Sequence, residues 1–192
     1  MSVNRLRVRS SLRATAFHEA GHALACYKGH LRFKRITIEP DDESLGHVLT
    51  DPLRLSDQHV YNMSPVVRDR LERRIVSLLA GREAERLVTG RYNNRGAQSD
   101  YQVASDFTLR VIGTPDEAGW YFRWLKRRTW LLVNAARHRP LLDTLADALM
   151  KRRTLTEAEA IEEFEIASGM PAESRTASLR ASFARTARPT EK

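Results

Sequence analysis

Apolar residues recur at three- and four-residue steps over much of the chain, a spacing that places them on one face of an α-helix. Glycines such as Gly29 and Gly90 supply stop signals after two of these segments. Thr156, at the head of the last one, is predicted to be its N-cap. The predicted helices cover residues 11–29, 66–89, 99–113, 117–136 and 141–151, with a final helix after Thr156.

Two short segments have the pattern of strands instead. Residues 33–39 alternate apolar and polar side chains and include β-branched Ile and Thr. Pro40 and the acidic residues after it predict a turn, and residues 46–50 can return as a partner strand. The pattern as a whole therefore predicts a mainly α fold with a small β-sheet, in the α+β class.

Length and composition are those of a folded domain. The chain has 192 residues, of which 42% are hydrophobic, so one compact domain is the expected organisation. No run approaches 18 apolar residues, and we expect no integral membrane segment. The basic N-terminus lacks the apolar stretch of a secretory signal, and a lone cysteine, Cys26, suits a reducing compartment. These features predict a cytoplasmic protein, with Cys26 as a small buried residue.

The chain is basic, with a formal net charge of +8. Arg-rich helical surfaces are usually solvated faces, and we find no aromatic-and-basic motif with the logic of nucleic-acid recognition. We therefore expect no nucleic-acid partner. Residues 1–14 are interpreted as a basic N-terminal arm, and residues 169–192, which are rich in Ser, Ala and Arg, as a disordered basic tail.

Residues 18–22 read His-Glu-Ala-Gly-His, a complete HExxH motif inside the first predicted helix. Histidines four residues apart share one helical face, so the imidazoles of His18 and His22 can bind one tetrahedral Zn²⁺. Glu19, next to the first of them, is the natural general base for the attacking water. Gly21, between the histidines, allows another element to pack close to this helix.

A catalytic zinc site needs a third protein ligand and one position open to water. The residues after His22 contain no HxxGxxH continuation, so this ligand must come from a distant segment. The candidates are Glu83, Glu85, Asp100, Asp106, His30, His47, His59 and His138.

Several segments, in order along the chain, carry a family resemblance. They are residues 16–24 (AFHEAGHAL), 35–40 (RITIEP), 45–48 (LGHV), 79–90 (LAGREAERLVTG), 96–100 (GAQSD), 104–106 (ASD) and the closing residues 141–166. Together they resemble the peptidase domain of the FtsH-type ATP-dependent zinc proteases. The segment ending at Asp100 is similar to that family's Gly-Ala-Ser-Asn-Asp sequence.

The resemblance implies a zincin-like helical peptidase domain over residues 15–168, with the HExxH motif on its first long helix and Zn²⁺ as cofactor. It implies that Asp100 is the third zinc ligand. A position at a helix start also suits a carboxylate, because the free amides there attract it. Glu85 matches a family glutamate near the site and is a candidate to orient a zinc histidine. The alternative for Glu85 is an ordinary surface charge.

The expected activity is that of a zinc metalloendopeptidase acting on unfolded or extended polypeptides, with Glu19 as the base. Such a substrate would add as a strand beside Gly46, His47 and Val48, the candidate substrate edge. No G-x-x-x-x-G-K-[ST] motif occurs, so we expect no ATP binding by this chain and a separate unfoldase as a partner. The alternative is a catalytically inactive binding or regulatory module, against which the intact Glu19 argues.

Residues 114–130 stand where the family has a longer insertion. The segment contains Trp120 and Trp124, with Phe122 and Trp130 nearby. These aromatic side chains are predicted to serve packing rather than to form a peptide-gripping surface.

Overall fold

Six α-helices and three short β-strands make up the part of the protein that our computed structural model describes, which is residues 3–40, 46–50 and 64–170. The helices are α1 (Val3–Lys28), α2 (Pro65–Thr89), α3 (Gln98–Ile112), α4 (Pro115–Val133), α5 (Arg139–Arg152) and α6 (Glu157–Ala167). The strands are β1 (Phe33–Thr37), β2 (His47–Thr50) and β3 (Thr154–Thr156). This architecture confirms the predicted mainly α fold with a small sheet.

Three of the sequence predictions concern residues outside these ranges. They are the tail beyond Met170, the acidic turn that follows Pro40, and the candidate ligand His59. Within the described ranges, no helix is both long enough and apolar enough to cross a bilayer.

Helix α1 is longer than its apolar pattern predicts. It begins at Val3 rather than near residue 11, so the segment interpreted as a basic arm is helical from Val3 onward. The physical reason is that no Gly or Pro interrupts residues 3–14, and Arg and Leu are good helix formers. The helix ends at Lys28, where the amide of Gly29 donates to the carbonyl of Ala25.

Helix α2 packs against α1 through small residues. It is capped by the Ser64 hydroxyl and ends at Gly90, which adopts a left-handed conformation. A Cβ added at Gly21 of α1 would lie 2.6 Å from the carbonyl oxygen of Ala80 and 2.6 Å from the Cβ of Ala84. This contact confirms that the glycine of the HExxH motif permits close packing by another element.

The three strands form one antiparallel sheet in the order β2-β1-β3. Thr37 of β1 faces His47 of β2. Among the described strands β2 pairs with β1 alone, so it lies at one edge of the sheet as predicted. Strand β3 was not predicted, because three residues are too few to show an alternating pattern. Thr156 is the N-cap of α6 as predicted, and it forms a capping box with Glu159.

Two apolar cores share helix α2. The first joins α1, the sheet, α5 and α6 around buried residues that include Phe17, Leu24, Ile36, Leu142 and Phe164. The second joins α2, α3 and α4 around buried residues that include Leu71, Ile75, Leu79, Ala104 and Leu125. Because α2 has side chains in both cores, it fixes α1 relative to α3.

The packing role predicted for the tryptophans of α4 is wrong for Trp120, whose side chain is 70% exposed. Trp124 is 46% exposed and stacks on Tyr121. The buried face of α4 is formed instead by Ala118, Leu125, Thr129 and Val133. The helical spacing of these buried residues turns Trp120 away from α2 and α3. On that outer side, the Arg123 guanidinium lies 3.9 Å from the centre of the Trp120 indole ring.

Candidate metal centre

The two histidines of the HExxH motif lie one turn apart on α1 and face α2. Both are buried, and their ring centroids are 4.7 Å apart. Gly81 of α2 lies directly against them, since a Cβ there would be 2.4 Å from Nε2 of His22 and 2.7 Å from Nε2 of His18. Sequence analysis missed this role of Gly81. The only signal was a glycine, a poor helix former, inside an otherwise strong helical pattern.

Asp100 lies in the first turn of α3 and reaches across to both imidazoles. Its Oδ2 atom is 3.2 Å from Nε2 of His18 and 3.2 Å from Nε2 of His22. The three ligand atoms lie within 4.8 Å of one another. Ligands at 2.0 to 2.1 Å from a tetrahedral zinc would be about 3.3 Å apart, so these positions fit such an ion. The structure therefore brings together the three residues predicted as ligands.

Hydrogen bonds hold the opposite edge of each imidazole. Nδ1 of His18 donates to Oε2 of Glu85 at 3.2 Å, and Nδ1 of His22 donates to the carbonyl oxygen of Ser77 at 2.7 Å. Both Nε2 atoms are thereby left to face Asp100. The contact of Glu85 with His18 is the one proposed from the sequence. The acceptor at Ser77 is a backbone carbonyl, so the side-chain sequence could not predict it.

Glu85 also connects the site to the loop before α3. Its Oε1 atom accepts a hydrogen bond from Nδ2 of Asn93 at 3.0 Å, and Oδ1 of Asn93 accepts one from the amide of Gly96 at 3.0 Å. The loop that carries Asp100 into place is thus bonded to the carboxylate that orients His18. Sequence analysis assigned no role to Asn93.

Glu19 lies beside the ligands, and one of its carboxylate oxygens has no hydrogen-bond partner among the described residues. The residue is 4% exposed, and its buried Oε2 atom makes no hydrogen bond with the described residues. A Cβ at Gly46 would lie 3.2 Å from Cγ of Glu19, so the end of the sheet packs against this side chain. Burial raises the pKa of Glu19, although the nearby imidazoles of His18 and His22 act in the opposite direction.

The electrostatics of the cluster favour a cation. Burial alone would lower the pKa of His18, but the hydrogen bonds that His18 donates to Asp100 and Glu85 outweigh it and raise that pKa to about 10. The pKa of His22 is raised as well, because the charge of Asp100 outweighs burial. Despite its own burial, Asp100 has a pKa well below the usual range, since both imidazoles face it. Carboxylates so buried require a positive partner.

Four of the other candidate ligands, Glu83, Asp106, His138 and His30, are not part of the group of ligand atoms found among the described residues. Glu83 accepts a hydrogen bond from the Tyr92 hydroxyl and is paired with Arg86. Asp106 is exposed and accepts from Gln102. Buried His138 donates to the carbonyl of Leu132, and His30 is exposed.

An open cavity of about 1000 Å³ follows α1 past the cluster. It extends from Ser11 to Cys26, and Cys26 is fully buried as predicted. The predicted substrate edge, Gly46, His47 and Val48, lines the cavity, and so do Arg74, Ser77, Gln98 and Asp100. An extended chain lying in this cavity would pass the three ligand atoms and Glu19.

Comparison with known proteins agrees with this geometry. The model of peptidase family M41 matches residues 6–114, which is more than half of the chain. Among curated relatives, the ATP-dependent zinc metalloprotease FtsH 1 of Symbiobacterium thermophilum is 38% identical over 99 residues, which cover 50% of this chain and 16% of the relative. The FtsH protease of Aquifex aeolicus is 34% identical over 110 residues, covering 54% of this chain and 16% of the relative. That of Syntrophus aciditrophicus is 32% identical over 130 residues, covering 66% and 15%.

These alignments span only 15% to 16% of the relatives' lengths, so the activity of those whole proteins does not pass directly to this chain. The family match is broader, because it takes in α1, the first two strands, α2 and α3, the elements that surround the metal centre. On the extent of that match, the chain belongs to peptidase family M41.

Proposed function

We propose that the protein is a zinc metalloendopeptidase that hydrolyses peptide bonds in unfolded or extended polypeptides. The observation that carries this proposal is that Nε2 of His18 and Nε2 of His22 each lie 3.2 Å from the Asp100 carboxylate. Beside them, Oε2 of Glu19 makes no hydrogen bond with the described residues. Two imidazoles and one carboxylate form a donor set typical of catalytic zinc. Three protein ligands also leave the fourth position open.

The residues around the ion have separate tasks in hydrolysis. When bound by His18, His22 and Asp100, zinc would supply the Lewis acidity that polarises a carbonyl and lowers the pKa of water. Glu19 takes the proton from the attacking water and returns it to the leaving amine. The raised pKa of its buried carboxylate suits it to hold that proton between the two steps. Glu85 and Ser77 keep the imidazoles oriented.

The edge of the sheet provides a way to bind substrate. Strand β2 has β1 on one side and no strand on the other within the described residues. An extended polypeptide can add there by main-chain hydrogen bonds, which recognise peptides with little demand on sequence. Since Gly46 contacts Glu19, a strand added at β2 would run beside the base.

The relatives are named ATP-dependent, whereas this sequence has no P-loop motif. We propose that this chain does not bind ATP and that a separate unfoldase supplies extended substrates. We also propose a cytoplasmic location, because a single cysteine cannot form an internal disulfide and fits a reducing compartment.

The direct test compares the wild type with Glu19→Gln for zinc content and casein hydrolysis. We expect about one zinc per chain in both proteins, with hydrolysis reduced at least about a hundredfold in the variant, because general-base catalysis contributes that much or more. Glu162→Gln, an exposed change on α6, is the control that should keep full activity.

Equal hydrolysis by the wild type and Glu19→Gln would rule out Glu19 as the base. If the wild type binds zinc and casein but cleaves nothing, the peptidase proposal is wrong. The alternative, a catalytically inactive binding or regulatory module, would then be supported.

A further inference from the structure

The cavity contains a guanidinium that the proposed hydrolysis does not use. Arg74 lies on α2, one turn before Ser77, and is half-buried in the cavity wall near Cys26. Its side chain makes no hydrogen bond or ion pair with the residues of the described ranges. Burial lowers the pKa of Arg74, and the negative charge of Asp100 offsets this only in part. The side chain has thus lost part of its hydration without gaining a bonded acid.

Three other arginines of α2 form hydrogen bonds or ion pairs with described residues. Arg73 is paired with Asp69 and donates to the carbonyl of Gly29. Arg82 donates to Asn94 at 2.6 Å, and Arg86 donates to Asn134 at 2.9 Å. Arg74 differs from these three because it lines the cavity without a bonded partner among the described residues. A carboxylate in the cavity would supply one.

The position of Arg74 relative to the metal ligands can be read from the two helices. Nδ1 of His22 is bonded to the carbonyl of Ser77, and Cys26 follows His22 by one turn of α1. Arg74 and Cys26 thus mark the same end of the cavity, about 5 Å along the helices from His22. An extended peptide advances about 3.3 Å per residue. The position of Arg74 on α2 therefore corresponds to one or two residues of substrate beyond the metal centre.

The charges along the cavity point to an acidic partner. The acids that line it are Glu19, Glu85 and Asp100, and all three belong to the metal cluster. The charged side chains that line it away from the cluster are Arg74 and Arg95, both basic, among the residues that the structure describes. A basic substrate residue at this end would meet a like charge, and an acidic one would meet its complement.

We propose that Arg74 forms a subsite that selects polypeptides with an Asp or Glu side chain within two residues of the cleaved bond. This inference rests on the proposed peptidase function, because it assigns the substrate class of the same cavity. It adds a side-chain preference to the main-chain recognition expected from β2.

The test uses a series of peptides blocked at both ends, in which one residue near the cleaved bond is Glu, Gln or Lys. Blocking the ends removes terminal carboxylates as a second source of the same chemistry. We expect the wild type to cleave the Glu peptide with a kcat/KM about tenfold or more above that of the Gln peptide, as for a charge-assisted hydrogen bond. In Arg74→Gln this preference should disappear, and in Arg74→Glu the Lys peptide should become the better substrate.

Arg73→Gln is the matched control, since Arg73 is the next residue of the same helix but lies on its exposed, ion-paired side. It should retain the wild-type preference. Arg74→Lys keeps the charge and should retain part of the preference, which provides a second variant if Arg74→Gln does not fold. A wild type without preference, or a preference that survives in Arg74→Gln, overturns the subsite.

A binding measurement separates this inference from the peptidase proposal. Fluorescent Glu and Gln peptides are titrated into Glu19→Gln protein with and without Arg74→Gln, and anisotropy gives the two Kd values. Tighter binding of the Glu peptide that depends on Arg74, in a protein whose wild type cleaves nothing, would overturn the peptidase but support the subsite. Cleavage without any dependence on Arg74 would overturn the subsite alone.

Discussion

Gly81 decides how closely α2 can approach the two imidazoles. A Cβ at this position would lie 2.4 Å from Nε2 of His22, which real side chains do not tolerate, so His22 or the helix would have to move. We expect Gly81→Ala to weaken zinc binding by at least about tenfold, as displacement of ligand orientation does. Competition with a chromophoric chelator measures this affinity.

Gly119 provides the matched control for this prediction. It is an exposed residue of α4, and a Cβ there would meet nothing within 4 Å. Gly119→Ala should leave the zinc affinity unchanged and stabilise the protein by about 0.5 to 1 kcal/mol, because alanine loses less backbone entropy in a helix. Zinc affinity of Gly81→Ala equal to that of the wild type would contradict the role given to Gly81.

At the scale of single residues, the sequence reveals what is local. The spacing of His18 and His22 shows directly that they share a helical face, and Glu19 follows from the same motif. Asp100 could be chosen among the distant candidates only through the family resemblance, because nothing local to it specifies which helix it faces. The roles of Gly81 and Asn93 depend on the packing of α1, α2 and the loop before α3, which no single segment encodes.

The orientation of α4 can be tested through its two faces. Leu125 is fully buried in the second core, whereas Trp120 is 70% exposed. Leu125→Ala should therefore lower the free energy of unfolding by about 2 to 5 kcal/mol, through lost burial and a cavity. Trp120→Ala should change it by less than about 0.5 kcal/mol despite the larger side chain. Urea unfolding followed by circular dichroism measures both.

A larger loss of stability in Trp120→Ala than in Leu125→Ala would reverse the assignment of the two faces. It would restore the packing role that the sequence suggested for the tryptophans. That suggestion failed because it considered the size of the aromatic side chains and not which face of the helix each of them occupies. The four-residue steps of Leu125, Thr129 and Val133 determine which side of α4 is buried.

The other helices and strands show which elements the spacing of apolar residues can predict by itself. Long helices and the capping box at Thr156 were predictable, since their signals lie within a few residues of one another. The start of α1 and the whole of β3 were not. The first eight residues of α1 add no apolar period, and β3 is a strand only because Ile36 of β1 pairs with Leu155.

In the whole molecule, the metal centre lies between the two apolar cores. His18 and His22 belong to α1, which packs in the first core, whereas Asp100 belongs to α3, which packs in the second. Helix α3 is held weakly by its own contacts, since its N-cap Ala97 makes no side-chain cap bond and only three of its residues are buried. A bound ion would therefore tie α3 to α1 more strongly than packing alone.

This arrangement predicts a local effect of metal removal. Chelation should speed amide hydrogen exchange in α3 far more than in α5 and α6, because the latter two helices pack in the first core and supply no ligand. Zinc at a hundred times its Kd should also stabilise the whole protein by about 2.7 kcal/mol. Exchange measured by mass spectrometry, with and without zinc, resolves the separate helices.

Two variants of α3 separate loss of the ion from a general loosening of the helix. Asp100→Ala should exchange rapidly in α3 even with zinc present, because the ligand that connects α3 to α1 is missing. Asp106→Ala, an exposed change on the same helix, should keep the protection that zinc confers. Equal protection of α3 in zinc-loaded Asp100→Ala and in the zinc-loaded wild type would show that the metal does not connect the two cores, and the ligand set would have to exclude Asp100.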